Sequence, residues 1–75
     1  MMISGYPIGT TVKWDEEEGF CTGIVRGRYY NPGQYEVDGH TIDIEIVEKS
    51  PQYAVEDNKK QQVIVMPHNK VFKQS

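Results

Sequence analysis

The sequence contains no leucine and only one alanine, Ala54, among its 75 residues. Alanine and leucine favour helices most strongly, whereas valine, isoleucine and tyrosine, which are plentiful here, favour the pleated surface of a strand. The composition therefore predicts an all-β protein. Because the chain is shorter than a usual domain, we expect one domain over residues 1–75, with its core at about residues 8–73.

Cysteine and histidine are also scarce. Cys21 is the only cysteine, so no intramolecular disulfide can form, and His40 and His68 lie far apart in the sequence. Because metal ligands usually recur at short spacings, the sequence predicts neither a metal site nor a cofactor. A chain without disulfides favours a reducing cytoplasm as its compartment. We expect Cys21 to be a small buried hydrophobic residue rather than a nucleophile, because no basic residue stands near it in the sequence.

Long apolar runs are missing as well. No segment approaches the length that spans a membrane, and residues 1–7 carry neither a basic nor an apolar leader region, so we expect no membrane partner. A domain this small hides only about 60% of its unfolded surface, which disfavours a deep substrate cavity. No nucleophile is placed against a base by any motif, so the sequence predicts a protein that is not an enzyme.

Excess positive charge is the last missing feature, because the net charge is −3 at pH 7. Phosphate affinity needs concentrated Lys and Arg, so any nucleic-acid role must rest on a local patch. The acids are concentrated in residues 15–18, which are followed by Gly19. Two interpretations of this run remain open: a solvated turn, or an acidic lip that attracts a cationic partner.

The clearest pattern lies at residues 34–46, which predict a β-hairpin. Asp38 and Gly39 can supply the two positive-φ residues of a type I′ turn, and this turn fixes the register so that Val37 faces His40. One face of the hairpin is then apolar. That face is too large for a freestanding ribbon, so we expect it to fold back over the barrel or to bury against a second subunit. The candidate interface residues on it are Tyr35, Val37, Ile42, Ile44 and Ile46.

The rest of the chain predicts short strands separated by turns. Gly23 and Gly27 interrupt the second strand, which predicts a bend, a bulge or a close backbone approach. Pro67 cannot continue a central ladder, so a 3₁₀ turn is expected after it. The predicted strands lie at residues 10–14, 20–30, 52–57, 61–66 and 71–73.

The pair of strands at 52–57 and 61–66 predicts a second hairpin. Tyr53 and Val55 would share a face with Val63 and Val65 if the loop held an odd number of residues, and the sequence leaves this register open. Asn58 is the loop residue best suited to a positive φ.

The second strand offers a possible nucleic-acid surface. Arg26, Arg28 and Tyr30 fall at period two, which predicts one outward stripe whose members lie ~7 Å apart, close to the spacing of phosphates along a strand. An aromatic ring at the end of such a stripe can stack on an unpaired base. The alternative is that these arginines only keep an exposed strand soluble.

The order of the elements resembles the SH3-like small barrel in its Tudor form. Three segments resemble a small bacterial family, the hypervirulence-associated proteins with a Tudor-like domain: GTTVKW at 9–14, TGIV at 22–25 and SPQYAV at 50–55. The resemblance covers about residues 6–73. It implies an antiparallel barrel of five to six strands with a short 3₁₀ turn before the last strand, and the hairpin at 34–46 projects from this predicted barrel. It implies no function more specific than an interaction module.

Tudor domains often bind methylated lysine or arginine in a cage of aromatic side chains. The resemblance places Trp14 at the first cage position and Cys21 at the second, with Phe20 beside Cys21 but facing the other way. The end of the third core strand offers Glu56 rather than an aromatic residue. The cage is therefore incomplete, and the alternative is that Trp14 closes one end of the barrel.

These observations predict a small non-catalytic interaction module. The expected mode is binding of a protein partner, or self-association, through the hairpin and the barrel surface. The alternative is weak binding of single-stranded nucleic acid. The candidate binding residues are Trp14, Phe20, Arg26, Arg28 and Tyr30.

Overall fold

A computed structural model of the chain describes residues 4–45 and 49–74. Its strands are β1 (Thr11–Glu16), β2 (Gly19–Tyr29), β3 (Gly33–Val37), β4 (His40–Ile44), β5 (Gln52–Asp57), β6 (Val63–Pro67) and β7 (Phe72–Lys73). A 3₁₀ helix, His68–Lys70, connects β6 to β7, as predicted. These ranges contain no α-helix, so the all-β prediction is confirmed. They also contain no helix that is long and apolar enough to cross a bilayer.

The seven strands form two antiparallel sheets. Five of them make one sheet in the order β6-β5-β2-β1-β7, and β3 pairs with β4 in a separate hairpin inserted between β2 and β5. This division agrees with the expected five core strands and one additional hairpin. In SH3-like form the sheet would also close into a barrel, and closure stays a prediction.

The inner face of the five-stranded sheet carries the main core. Alternate residues of β1, β2 and β5 point inward, and Val71 joins them from the segment after the 3₁₀ helix. Because side chains alternate along a strand, the intervening residues of β1 and β2 face outward. The buried residues of this inner core are Val12, Trp14, Val25, Tyr53, Val55 and Val71.

The predicted hairpin forms with the predicted register. Val37 pairs with His40 and Tyr35 pairs with Ile42. Asp38 and Gly39 have φ angles of 49° and 81°, as a type I′ turn requires. The sequence prediction for this hairpin is therefore confirmed for every pair within β3 and β4.

The apolar face of the hairpin folds back onto the protein. Val37, Ile42 and Ile44 are buried and make a second core with Ala54 of β5, which is fully buried. The chain thus adopts the first of the two expected alternatives, in which these residues are covered by the sheet. Of the other two candidate interface residues, Tyr35 is half-buried and Ile46 lies outside the described residues.

The register of the second hairpin, which the sequence left open, excludes the loop with an odd number of residues. Val55 pairs with Ile64 and Ala54 pairs with Val65, so Val65 faces the hairpin core rather than the inner core. The physical reason is that β5 is buried on both faces, so apolar residues of β6 are needed on both. The loop accordingly holds an even number of residues between the paired Glu56 and Val63. The positive φ, 55°, belongs to Gln61 and not to Asn58.

Candidate interaction surface

The outward face of β1, β2 and β7 is built around Lys13. Lys13 pairs with Thr22 of β2 on one side and with Phe72 of β7 on the other. The next outward pair is Asp15 with Phe20. Directly paired residues project from the same face of a sheet, so all five side chains share one surface.

Two large aromatic rings are exposed on this surface. Phe20 is 68% exposed and Phe72 is 51% exposed. Lys13 lies between them, and its Nζ is 5.1 Å from the centroid of the Phe20 ring, within the range of a cation–π contact. We call Phe20, Lys13 and Phe72 the aromatic strip. From the strand spacing, the two aromatic Cα atoms lie about 12 Å apart.

Two shallow depressions adjoin the Phe20 end of the strip. The first has a volume of about 270 Å³ and is lined by Phe20, Cys21, Thr22, Asp57, Asn58 and Lys59. The second, of about 450 Å³, lies between the acidic turn and Lys59 and Lys60. Phe20 lines both of them, so this ring stands where the exposed sheet face meets the loops.

The loop after β5 is held in place by hydrogen bonds. Asp57 is 3% exposed, and its Oδ1 accepts hydrogen bonds from the backbone N–H groups of Lys59, at 2.8 Å, and Lys60, at 3.2 Å. Asn58 donates its backbone N–H to the carbonyl oxygen of Thr22 and its side-chain amide to the Thr22 hydroxyl. The wall of the first depression is therefore preformed.

Cys21 lies in both depressions but is not activated. Burial raises the pKa of its thiol above the ordinary value, and the negative charges of Glu16 and Asp57 raise it further. A thiol becomes a nucleophile when its pKa is lowered by cations or a helix N-terminus. Cys21 therefore stays protonated at neutral pH, and the site offers an uncharged thiol.

The two predicted cage positions, Trp14 and Cys21, pair with each other, but they do not form an open aromatic cage. Trp14 is 3% exposed and belongs to the inner core, and its indole N–H donates to Glu16 at 3.2 Å. It pairs with Cys21, whereas Phe20 pairs with Asp15 on the opposite face. Trp14 thus occupies the place expected of a residue that closes the end of the core, and its ring is not open to a ligand.

The predicted stripe of Arg26, Arg28 and Tyr30 is divided by a β-bulge. Val25 pairs with Val55 and Gly27 pairs with Ala54, so one extra residue lies in β2 at this point. A bulge was one of the three alternatives that the glycines indicated, together with a bend and a close backbone approach, and its effect on the faces was not predicted. After it Arg28 pairs with Tyr53, on the inner-core side, and the period-two alternation that defined the stripe is lost.

The two arginines also differ in their partners. Arg26 forms an ion pair with Glu56 at 2.8 Å and a longer one with Asp38 at 3.7 Å, so two carboxylates offset its charge. Arg28 lies over the ring of Tyr30, with its Cζ 5.6 Å from the centroid. Only the Arg28–Tyr30 pair retains the basic and aromatic character of the predicted stripe.

Sequence reasoning missed a polar contact that joins the start and end of the chain. The Tyr53 hydroxyl accepts the backbone N–H of Tyr6 at 2.9 Å and lies 2.6 Å from Nδ1 of His68. Because the hydroxyl already accepts one hydrogen bond, its own hydrogen is available for Nδ1. No local signal could reveal this contact, because it depends on β5 carrying Tyr53 to both segments. Phe72 was missed for the same reason: only its pairing with Lys13 makes it part of a surface.

In residues 4–45 and 49–74, no three His, Cys, Asp or Glu side chains are grouped so that they could hold a metal ion. Comparisons with family models, curated proteins and solved structures find no match to this chain. The assignment of a function therefore rests on the surface itself.

Proposed function

We propose that the protein is a non-catalytic interaction module that binds a protein partner through the aromatic strip. The observation that carries the proposal is the exposure of Phe20 and Phe72 on one sheet face, on either side of Lys13. Large aromatic side chains contribute most strongly to protein interfaces, and a pair of them on one rigid sheet loses little conformational entropy on binding. The two depressions beside Phe20 are partly open to solvent, so a side chain of the partner can enter them.

The charges near the strip favour a basic partner segment. Asp15 is paired with Phe20, and the exposed residues 16–18 continue the acidic turn from there. Lys59 lines both depressions together with Phe20, and Lys60 lines the second one, so the acidic turn and these two lysines share that depression. A partner with a basic residue next to an apolar one can therefore place its cation on the acidic turn and its apolar group on Phe20.

Two other modes of binding receive less support. Self-association through the hairpin would need Val37, Ile42 and Ile44, which are already buried against β5. Nucleic-acid binding would need free cationic charge, and the carboxylates of Glu56 and Asp38 offset the charge of Arg26.

The proposed architecture is the SH3-like barrel of the Tudor form. A single turn of 3₁₀ helix separates β6 from β7, which are the two edge strands of the five-stranded sheet. A connection this short brings the two edges near each other, as a closed or nearly closed barrel requires. Membership of the hypervirulence-associated family stays a hypothesis, and the interaction role it implies agrees with the role proposed here.

A designed peptide tests the binding mode. A short synthetic peptide in which lysine and leucine alternate is titrated into labelled protein at about 0.15 M salt. We expect amide shifts at Lys13, Phe20 and Phe72, and their loss in a Phe20→Ser, Phe72→Ser double variant. Thr41→Ser, on the exposed face of β4, is the matched control. Equal binding of a peptide in which glutamate replaces lysine would refute the charge argument, and unchanged binding by the double variant would refute the site.

A further inference from the structure

Residues 4–6 are held against the sheet by side chains from distant parts of the sequence. The hydroxyl of Tyr30 donates a hydrogen bond to the carbonyl oxygen of Ser4, and the backbone N–H of Tyr6 donates to the hydroxyl of Tyr53 at 2.9 Å. The segment belongs to neither sheet. The tyrosine hydroxyls bind its backbone through hydrogen bonds, as they could bind the backbone of a separate peptide.

The ring of Tyr6 adds an aromatic contact to these hydrogen bonds. Its centroid lies 5.0 Å from that of the His68 ring and 5.9 Å from that of the Tyr53 ring. Both distances lie within the range of favourable aromatic pairs. We call the surface formed by Tyr30, Pro51, Tyr53 and His68 the tyrosine groove.

The groove requires glycine before the aromatic residue. Gly5 has a φ of 81°, in the left-handed region. A Cβ atom on Gly5 would lie 2.5 Å from the Tyr53 hydroxyl oxygen and 2.7 Å from Cγ of Pro51. Both the backbone conformation and the close approach therefore exclude a side chain at this position.

We infer that the tyrosine groove is a peptide-binding site for a glycine–aromatic segment, which residues 4–6 occupy within the same chain and a second copy of the chain can fill in exchange. The contacts described above involve the carbonyl of Ser4, the close approach at Gly5, and the N–H and ring of Tyr6, and a second copy of the chain carries all of them. Exchange of an identical segment between copies preserves each contact.

The segment leaves the groove through a turn that can act as a hinge. The N–H of Thr10 bonds to the carbonyl oxygen of Pro7 at 3.2 Å, and Gly9 has a φ of 97°. The chain is already anchored to the sheet within this turn, because the N–H of Gly9 donates to the carbonyl oxygen of Val25 at 2.8 Å. Residues 4–7 can therefore leave the groove without breaking any pairing of the five-stranded sheet.

Occupation within the same chain should dominate in the free protein. A tethered segment has an effective concentration in the millimolar range, so a separate peptide competes poorly against it. Binding between two molecules can be measured when one variant keeps only an intact groove and the other keeps only an intact segment.

Two full-length variants separate these roles. Gly5→Ala with Tyr6→Ala disables the segment and leaves the groove intact, whereas Tyr53→Phe removes a groove hydroxyl and leaves the segment intact. If Tyr53→Phe lowers the folded population, Tyr30→Phe replaces it. Circular dichroism establishes that each variant is folded before its binding is measured.

The first measurement titrates the peptide of residues 4–8 into the segment variant and follows amide shifts. We expect shifts at Tyr30, Tyr53 and His68, and no comparable saturation of the wild-type chain. A peptide with alanine in place of Gly5 should bind at least about tenfold more weakly, because the left-handed backbone is strained for alanine and its Cβ would clash with the Tyr53 hydroxyl. Absence of binding by the folded variant, or equal binding of both peptides, would overturn the site.

The second measurement mixes the two variants and follows sedimentation. One groove and one segment remain intact in the mixture, so we expect a heterodimer that neither variant forms alone. Addition of excess peptide should dissociate it. If the peptide binds but the mixture stays monomeric, the exchange between copies is refuted while the peptide site stands.

Discussion

Replacement of Ile44 by alanine tests whether the hairpin is part of the folded core. Ile44 is 3% exposed and packs in the second core with Ala54. The substitution removes three carbon atoms, at about 0.8 kcal/mol each, and leaves a cavity that the rigid sheet fills only partly. We expect a loss of about 2–4 kcal/mol in the free energy of unfolding.

That loss is large for a protein of this size. A chain of 75 residues has a free energy of unfolding of roughly 4–11 kcal/mol. Ile44→Ala should therefore lower the urea midpoint by at least about 0.7 M, given slopes of about 1–3 kcal/mol/M for small proteins. Thr41→Ala lies on the exposed face of the same strand and serves as the control, with an expected change within about 0.5 kcal/mol.

A large loss of stability in Ile44→Ala has two interpretations, burial of Ile44 within the chain or against a second subunit, and the dependence of stability on protein concentration distinguishes them. If the apolar face were covered by a second subunit, the urea midpoint of the wild-type chain would rise with protein concentration. If the face were covered within the chain, the midpoint would not change. A loss below about 0.5 kcal/mol for Ile44→Ala, as for a solvated residue, would refute the packing described here.

Three further outcomes follow from individual contacts. Gly23→Ala should cost about 1–3 kcal/mol in thermal or urea unfolding, because the new Cβ would lie 2.5 Å from the carbonyl oxygen of Glu56. Arg26→Ala should lower the free energy of unfolding by less than about 1 kcal/mol, because the ion pairs of Arg26 with Glu56 and Asp38 are substantially exposed. Salt screens exposed charges, so a loss that is larger at 1 M salt than at low salt would contradict this account. Burial raises the pKa of Tyr53 above 10.0, so the stability it contributes should be full below about pH 10 and lost as the pH rises through its higher folded value. Melting temperatures from pH 8 to 11 should show this decline in the wild type and less of it in Tyr53→Phe.

The sequence predicted local features well. The hairpin register follows from Asp38 and Gly39 and from the alternation beside them, all within a few residues of one another. The 3₁₀ turn after Pro67 is local in the same sense. The surface that the hairpin packs against could not be predicted in this way, because the apolar face of the hairpin is equally suited to a second subunit or to β5.

The register of β6 shows why a feature that depends on contacts between distant segments is not predictable from the local sequence. Val63, Ile64, Val65 and Met66 are all apolar, so alternation cannot say which pair faces the inner core. The deciding fact is that the hairpin covers the outer face of Ala54, which makes that face a core as well. Ala54 is a small residue among larger ones, and its size allows the hairpin to approach β5 closely. This role of Ala54 can be recognised only once the position of the hairpin is known.

The bulge in β2 connects the hairpin core to the fate of the predicted nucleic-acid stripe. Gly27 lies opposite Ala54, so two residues with little or no side chain meet where the hairpin packs. The extra residue of the bulge is Arg26 itself, and its side chain reaches Asp38 at the hairpin tip and Glu56 on β5. Arg26 thus links the tip of the hairpin to the sheet beneath it. The same insertion that supports this packing removes Arg26 from the side of Arg28, so the packing of the hairpin and the loss of a continuous basic stripe have one structural cause.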